Sequence, residues 1–339
     1  MRISSVVRSL VIFGSLWLGA AAFAETPVGP AESLEEDVAE ESDLGETGYL
    51  NLETKTLGGR QFWGDVCFFH GYRIQQNVIT GHYRLLNPND VRQAWGTEEH
   101  CRAALEKIRT DQQLPKMSGK AVILIHGIFR SSKSLSALGK RFEQEGYTVV
   151  PFDYPSTRVT IAESAEYLKK VLDSLEGVEE IDLVVHSMGG LLVRESLKGE
   201  TPPDPRLHRM VMLGTPNRGA RMANVLQNIV LYKWLFGPAG QQLIEGDNSE
   251  ALGLPVPNFE FAIIAGARGK PDGWNPLING DDDGTVAVES TKLPGAADFL
   301  TITSMHTFMM SNPEVIEAAF RFIKTGSLHE DGTKTPIIE

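Results

Sequence analysis

From Lys120 onward the chain alternates short apolar runs with amphipathic stretches, and this alternation restricts the fold more than any other feature. "AVILIHG" (121–127), "YTVVPFDYP" (147–155), "IDLVVHS" (181–187), "RMVMLGTP" (209–216), "FEFAIIAGA" (259–267) and "DFLTITS" (298–304) read as strands. Runs without polar alternation belong in a sheet covered on both faces, as parallel sheets are. Between them lie helix patterns. One turns Leu135, Leu138 and Phe142 inward and stops at Gly146. Another opens on a capping box, Thr160 with Glu163, and closes at Gly177, with Ile161, Ala165, Leu168, Val171, Leu172 and Leu175 on one face. "MGGLLVRESLKG" gives a third, and "NPEVIEAAFRFIKTG" a last, with Asn312 as cap, Pro313 in the first turn and Gly326 as stop. The expected class is α/β: a mostly parallel sheet with helices on both faces, over residues 119–327.

Ligands of such sheets sit at the carboxyl ends of the strands. There the chain carries His126-Gly127-Ile128, Ser187-Met188-Gly189-Gly190, "GDDDGTV" (280–286) and, after the last strand, His306. A hydroxyl, a carboxylate and an imidazole therefore occur in the order Ser, Asp, His. A serine hydroxyl is a weak nucleophile until an imidazole takes its proton, and a carboxylate fixes that imidazole's tautomer. "IDLVVHSMGG" has the form of a strand–Ser–helix elbow, but Val185 stands where the G-x-S-x-G pattern has its first glycine.

"LIHGIF", "VVHSMGG", "LGTPNRGA", "DDGTV" and "SMHTFM" together, in this order, resemble the α/β-hydrolases of the lipase and esterase type, including compact bacterial lipases and hydrolases that deacylate lipid anchors. The resemblance covers about residues 120–326. It implies Ser187 as nucleophile, His306 as base and acid, Asp283 as orienter, and the Ile128 and Met188 amides as an oxyanion hole. It also implies hydrolysis of lipid or other hydrophobic esters through an acyl-enzyme, without cofactor. An acyltransferase on the same residues, or a non-catalytic binding protein on the same fold, are the alternatives. Phe129 and Trp234 are expected to line the substrate pocket.

Asp281 and Asp282 compete with Asp283, since three adjacent aspartates also suit a hard cation. His186 is expected to point away from Ser187, and His126 to shape its loop. His70, His82, His100, His208 and His329 show no zinc-ligand spacing. Within an insertion at 221–257, Met222, Leu226, Ile229, Val230 and Trp234 fall at helical spacing, which suits a cap over the pocket and a core helix equally.

Ahead of the hydrolase-like region the chain changes character three times. Residues 1–24 place Arg2 and Arg8 before an apolar run ending in Ala22-Phe23-Ala24, which predicts a cleaved secretory signal and an exported, periplasmic or secreted, protein. Uncleaved, the same run would be an N-terminal membrane anchor. Residues 25–50 read as an acidic tether: 32–46 hold eight acids and no base, most of the net charge of −12. No basic cluster suggests nucleic acid, and contact with a lipid surface is compatible with the substrate class. Residues 51–118 read as a hairpin about Gly81 followed by a helix capped by Thr97. Trp63, Trp95 and "TGHYRLL" either pack this segment on the main domain or recognise a partner or glycan. If the chain is exported, Cys67 and Cys101, the only cysteines, are expected to form a disulfide worth about 3–4 kcal/mol. Residues 328–339 read as a C-terminal tail.

Overall fold

The parallel region begins in the middle of its sheet. Strands β6 (Gly119–Ile125), β7 (Thr148–Phe152), β8 (Val178–His186), β9 (Leu207–Leu213), β10 (Glu260–Ala267) and β11 (Asp298–Thr303) lie in the order β11-β10-β9-β8-β6-β7, every neighbouring pair parallel. The chain starts at β6, steps out to β7, then crosses back to β8 and runs to the far edge. The strand order reverses between β6 and β8, and at such a reversal these sheets bind their ligands beyond the carboxyl ends of the strands. This is a computed structural model of the chain, and it describes residues 54–55, 60–199, 204–219, 238–240, 242 and 249–338. The expected signal (1–24), the acidic tether (25–50) and the helical pattern with Trp234 lie outside the described residues.

Strand residues divide alternately between two cores. Ala121, Ile123 and Ile125 face one side with Ile181, Leu183 and Val185, under α3 (Ile161–Ser174) and α4 (Met188–Ser196). Val122, Leu124, Val184 and Val211 face the other, under α2 (Ser136–Glu143) and α6 (Pro313–Thr325). The expected capping box forms: the Thr160 side chain accepts from the Glu163 amide, and the Glu163 carboxylate accepts from the Thr160 amide. The Asn312 cap and Pro313 start α6, and Gly326 at φ 81° ends it. Residues beyond the last helix are held too. Leu328 is fully buried, and Ile337 pairs by backbone with Gly295 and Ala296 beside β11.

The hairpin about Gly81 forms from β3 (Tyr72–Asn77) and β4 (Tyr83–Leu86), and it is the centre of a larger structure. β2 (Trp63–Phe69) and β5 (Val91–Gly96) flank it, and β1 (Thr54–Lys55) completes an antiparallel sheet in the order β1-β5-β4-β3-β2. Helix α1 (Glu98–Asp111) follows, with the Thr97 hydroxyl accepting from the His100 amide. This sheet shares the first core: Val66, Phe68, Ile74 and Leu85 join the same buried cluster as Leu168 and Val171. At Gly64 the two parts approach closely, since a Cβ there would sit 2.6 Å from the Tyr167 ring.

Charges cross the same contact. Asp65 and Asp153 exchange bonds: the Asp65 amide donates to the Asp153 carbonyl (2.9 Å) and the Asp153 amide to the Asp65 carboxylate (2.6 Å). The buried Arg73 guanidinium joins them, 2.9 Å from Asp153 Oδ2, and also bonds Asp90. Burial, with Asp153 beside it, pushes the Asp65 carboxyl up to about 6 against the pull of Arg73.

The expected disulfide is corrected. Cys67 and Cys101 are both buried and both free thiols. Cys67 on β2 pairs in register with Ile74 and, through it, with Leu85 on β4; the Cys101 thiol, in the first turn of α1, bonds the Leu85 backbone. Cys67 therefore lies two strands from the Leu85 backbone that the Cys101 thiol bonds, and adjacent strands are about 4.8 Å apart. Burial raises both thiols, Cys101 to about 12, which leaves them unreactive packing groups.

Candidate active site

Ser187 is the turn between β8 and α4, and its backbone sits at φ 54°, ψ −126°, a conformation rare outside glycine. What makes the turn fit is the absence of atoms around it. A Cβ on Gly127 would lie 2.9 Å from the Ser187 Cβ; one on Gly189 would meet the Ile125 and His126 carbonyls at 2.9 Å; one on Gly190 would meet the Thr215 hydroxyl at 2.3 Å. Val185 needs no such relief. It belongs to the incoming strand, paired with Ile125 and Met212, and its side chain is buried in the first core beside Met188 and Leu191. The missing glycine of the pattern costs the elbow nothing.

The three groups singled out from the sequence are brought together. The Ser187 hydroxyl donates to His306 Nε2 at 3.0 Å, and His306 Nδ1–H donates to Asp283 Oδ2 at 2.6 Å. The other Asp283 oxygen accepts the Thr285 and Val286 amides, at 2.9 and 2.7 Å, which fixes the carboxylate plane. The His306 amide donates in turn to the Asp283 carbonyl (2.8 Å). All three residues are buried. Asp281 and Asp282 are spent otherwise: Asp281 accepts the amides of Arg268, Gly269 and Asp282, and Asp282 those of Asn275 and Gly284. They build the loop that presents Asp283.

His186 differs from its expectation. Its ring does not turn away but packs against the His306 ring (centroids 4.6 Å apart), and its Nε2–H donates to the His306 carbonyl at 3.1 Å. Burial, with the neighbouring His306, holds its pKa well below the usual imidazole value, so it acts as a neutral strut. His126 shapes its loop as expected, stacked on Tyr154 and bonding the Gly127 carbonyl through Nδ1–H. Ile128 follows Gly127 and so lies against the elbow. Met188 opens α4, where first-turn amides have no partner within the helix. Phe129 is half-buried at φ 61°, its amide donating to the Ser156 hydroxyl.

Two other sites gather polar groups. Glu180, Asp182 and His208 bring one ligand atom each within 4.8 Å of one another, but at the end of β8 and β9 remote from Ser187. His208 Nδ1 already lies 3.0 Å from Asp182 and 3.2 Å from Glu180, and Lys120 pairs with Glu180, so these groups already partner one another. On the antiparallel sheet, half-buried Trp63 and Trp95 flank a cleft of about 270 Å³, with Arg84 stacked 4.0 Å over the Trp63 ring.

A parallel sheet with this strand order, carrying a serine elbow after β8, an acid after β10 and a histidine after β11, defines an α/β-hydrolase fold. Residues 86–232 match a family model described as a domain of unknown function, DUF7379. No curated protein matches the sequence. Among solved structures the chain is similar to the mature lipase BlEst2 of Bacillus licheniformis, at 16% identity and a TM-score of 0.45, over 61% of this chain and 91% of that one. It is similar to the metagenomic carboxyl esterase MGS0156 at 18% identity and 0.42, over 56% and 65%. A thermophilic esterase from Thermogutta terrifontis follows at 15% and 0.40, over 62% and 91%.

Proposed function

We propose that the protein is an exported serine hydrolase that cleaves carboxylic esters of lipids or other hydrophobic acids. The observation that carries this reading is the unbroken line of hydrogen bonds from the Ser187 hydroxyl through His306 to Asp283, at a strained elbow. His306 takes the hydroxyl proton as Ser187 attacks the ester carbonyl, and Asp283 stabilises the resulting imidazolium. The oxyanion is held by the Ile128 and Met188 amides. His306 then returns its proton to the departing alcohol, and water, activated by the same imidazole, frees the acid from Ser187. Exposed Trp274, Leu277 and Phe308 belong to the loops that carry Asp283 and His306, which favours apolar acyl chains and a lipid surface nearby. Export rests on the N-terminal 24 residues alone.

The test is hydrolysis of p-nitrophenyl esters from acetate to palmitate, with Ser187→Ala in parallel. The reading expects activity that Ser187→Ala abolishes and that rises beyond the shortest acyl chains. Equal rates in both proteins would refute it.

A further inference from the structure

The loop after β6, residues 127–132, carries the Ile128 amide, and part of what holds it comes from the turn that leads into the antiparallel sheet. Gln61, in the turn just before β2, donates from Nε2 to the Arg130 carbonyl at 3.0 Å. A carbonyl only accepts, so this bond fixes which end of the amide faces which way. Gln61 Oε1 then points at two buried hydroxyls and accepts from Ser156 (2.9 Å) and Thr157 (3.1 Å). A hydroxyl has one proton. With that proton on Gln61, the Ser156 oxygen turns a lone pair to the Phe129 amide, which donates to it at 3.2 Å. Phe129 is the residue at φ 61°, a conformation that needs support. The far end of the loop is clamped as well: the Ser132 amide and hydroxyl both donate to Asp153, the carboxylate that Arg73 bonds and whose backbone pairs with Asp65.

We propose that Gln61 is a positioning residue for the oxyanion loop: through Ser156 it sets the Phe129 amide away from the site and leaves the Ile128 amide facing it. The antiparallel sheet is thereby part of the catalytic apparatus rather than an attached module. This rests on the ester-hydrolase reading above. Misplacing one oxyanion donor costs less than the roughly 10²–10³-fold of deleting it, so about tenfold in kcat is expected from Gln61→Ala, with KM within about twofold.

Gln61→Ala, Ser156→Ala and the double variant are compared by ester kinetics, melting temperature and hydrogen exchange of peptides spanning 126–132. Both single variants should lose about tenfold in kcat, the double variant no more than either, and the loop should exchange faster in all three. A lower melting temperature with unchanged kcat and loop exchange overturns the proposal, as do losses that multiply in the double variant. Ser187→Ala separates the two claims. If wild type turns over and Ser187→Ala does not, the hydrolase reading stands whatever Gln61 does. If neither turns over, that reading fails and the exchange of the loop alone decides whether Gln61 holds it.

Discussion

The elbow at Ser187 and the seam between the two sheets are fitted by opposite means. Around Ser187 the chain is made to fit by leaving atoms out, at Gly127, Gly189 and Gly190, so that strand, loop and helix approach within contact distance. At the seam it is made to fit by bringing charge in: Asp65, Arg73, Asp90 and Asp153 are joined in one largely buried network with Ser132. A steric fit tolerates no added methyl. An ionic fit tolerates shape changes but not the removal of one partner, because the remaining charges are then buried unpaired.

That contrast can be broken in a graded way. The largest effect should come from Asp283→Asn, which keeps the shape of the steric site and removes its one charge. We expect kcat to fall about 10³–10⁴-fold with little change in melting temperature, because His306 loses its fixed tautomer; steady-state kinetics on a chromogenic ester measures it. Next comes Arg73→Met at the seam. It leaves Asp65 and Asp153 without their directly bonded cation, with only Arg84 nearby through Gln75, and should cost about 3–5 kcal/mol in denaturant unfolding. A cost below about 1 kcal/mol would mean the network is solvated and the seam is held by the apolar core alone.

Gly190→Ala follows, at about 2–3 kcal/mol, since its methyl would meet the Thr215 side chain. Among the described residues the buried Thr215 Oγ1 has no hydrogen-bond partner, so Thr215→Ala should itself cost little and should remove most of the Gly190→Ala penalty. Additive costs in the double variant would show that the strain lies elsewhere. The smallest effect concerns pH. The folded-state pKa of His186 is depressed, mainly by burial, so its contribution to stability is complete above about 6.5 and is lost as pH falls below that value, where the unfolded chain takes up the proton. His186→Gln can keep a donor to the His306 carbonyl without titrating. Its unfolding free energy should therefore decline less than wild type between about pH 6.5 and 5.

The same contrast explains what could be read from the sequence. Strands such as "AVILI" and "IDLVV" announce themselves as apolar runs, and Ser187, Asp283 and His306 each sit just past or between strand ends, the first two beside glycines. Leaving an atom out is written as a glycine at the place where it matters. Ionic and hydrogen-bonded fits are not written locally. Gln61 meets Ser156 across 95 residues and Asp65 meets Asp153 across 88, and neither residue stands in a motif. β2 and β5 are hard to read from the sequence for a related reason. β2 is buried on both faces apart from Trp63, and β5 is half-buried, so neither shows a clean two-residue alternation. The structural role expected of His186 agrees with its bond to the His306 carbonyl, but its packing on the His306 ring is set across 120 residues and is not written locally. Cys67 and Cys101 were paired by compartment and count, and only the strand order separates them.

The central claim is that Ser187, His306 and Asp283 act as one nucleophilic unit. Labelling the folded protein with a fluorophosphonate probe, then mapping the adduct by peptide mass spectrometry, tests it most directly. A single adduct on Ser187 is expected, absent in Ser187→Ala and formed far more slowly in His306→Ala. A folded protein that stays unlabelled, or one labelled at another serine, would contradict it.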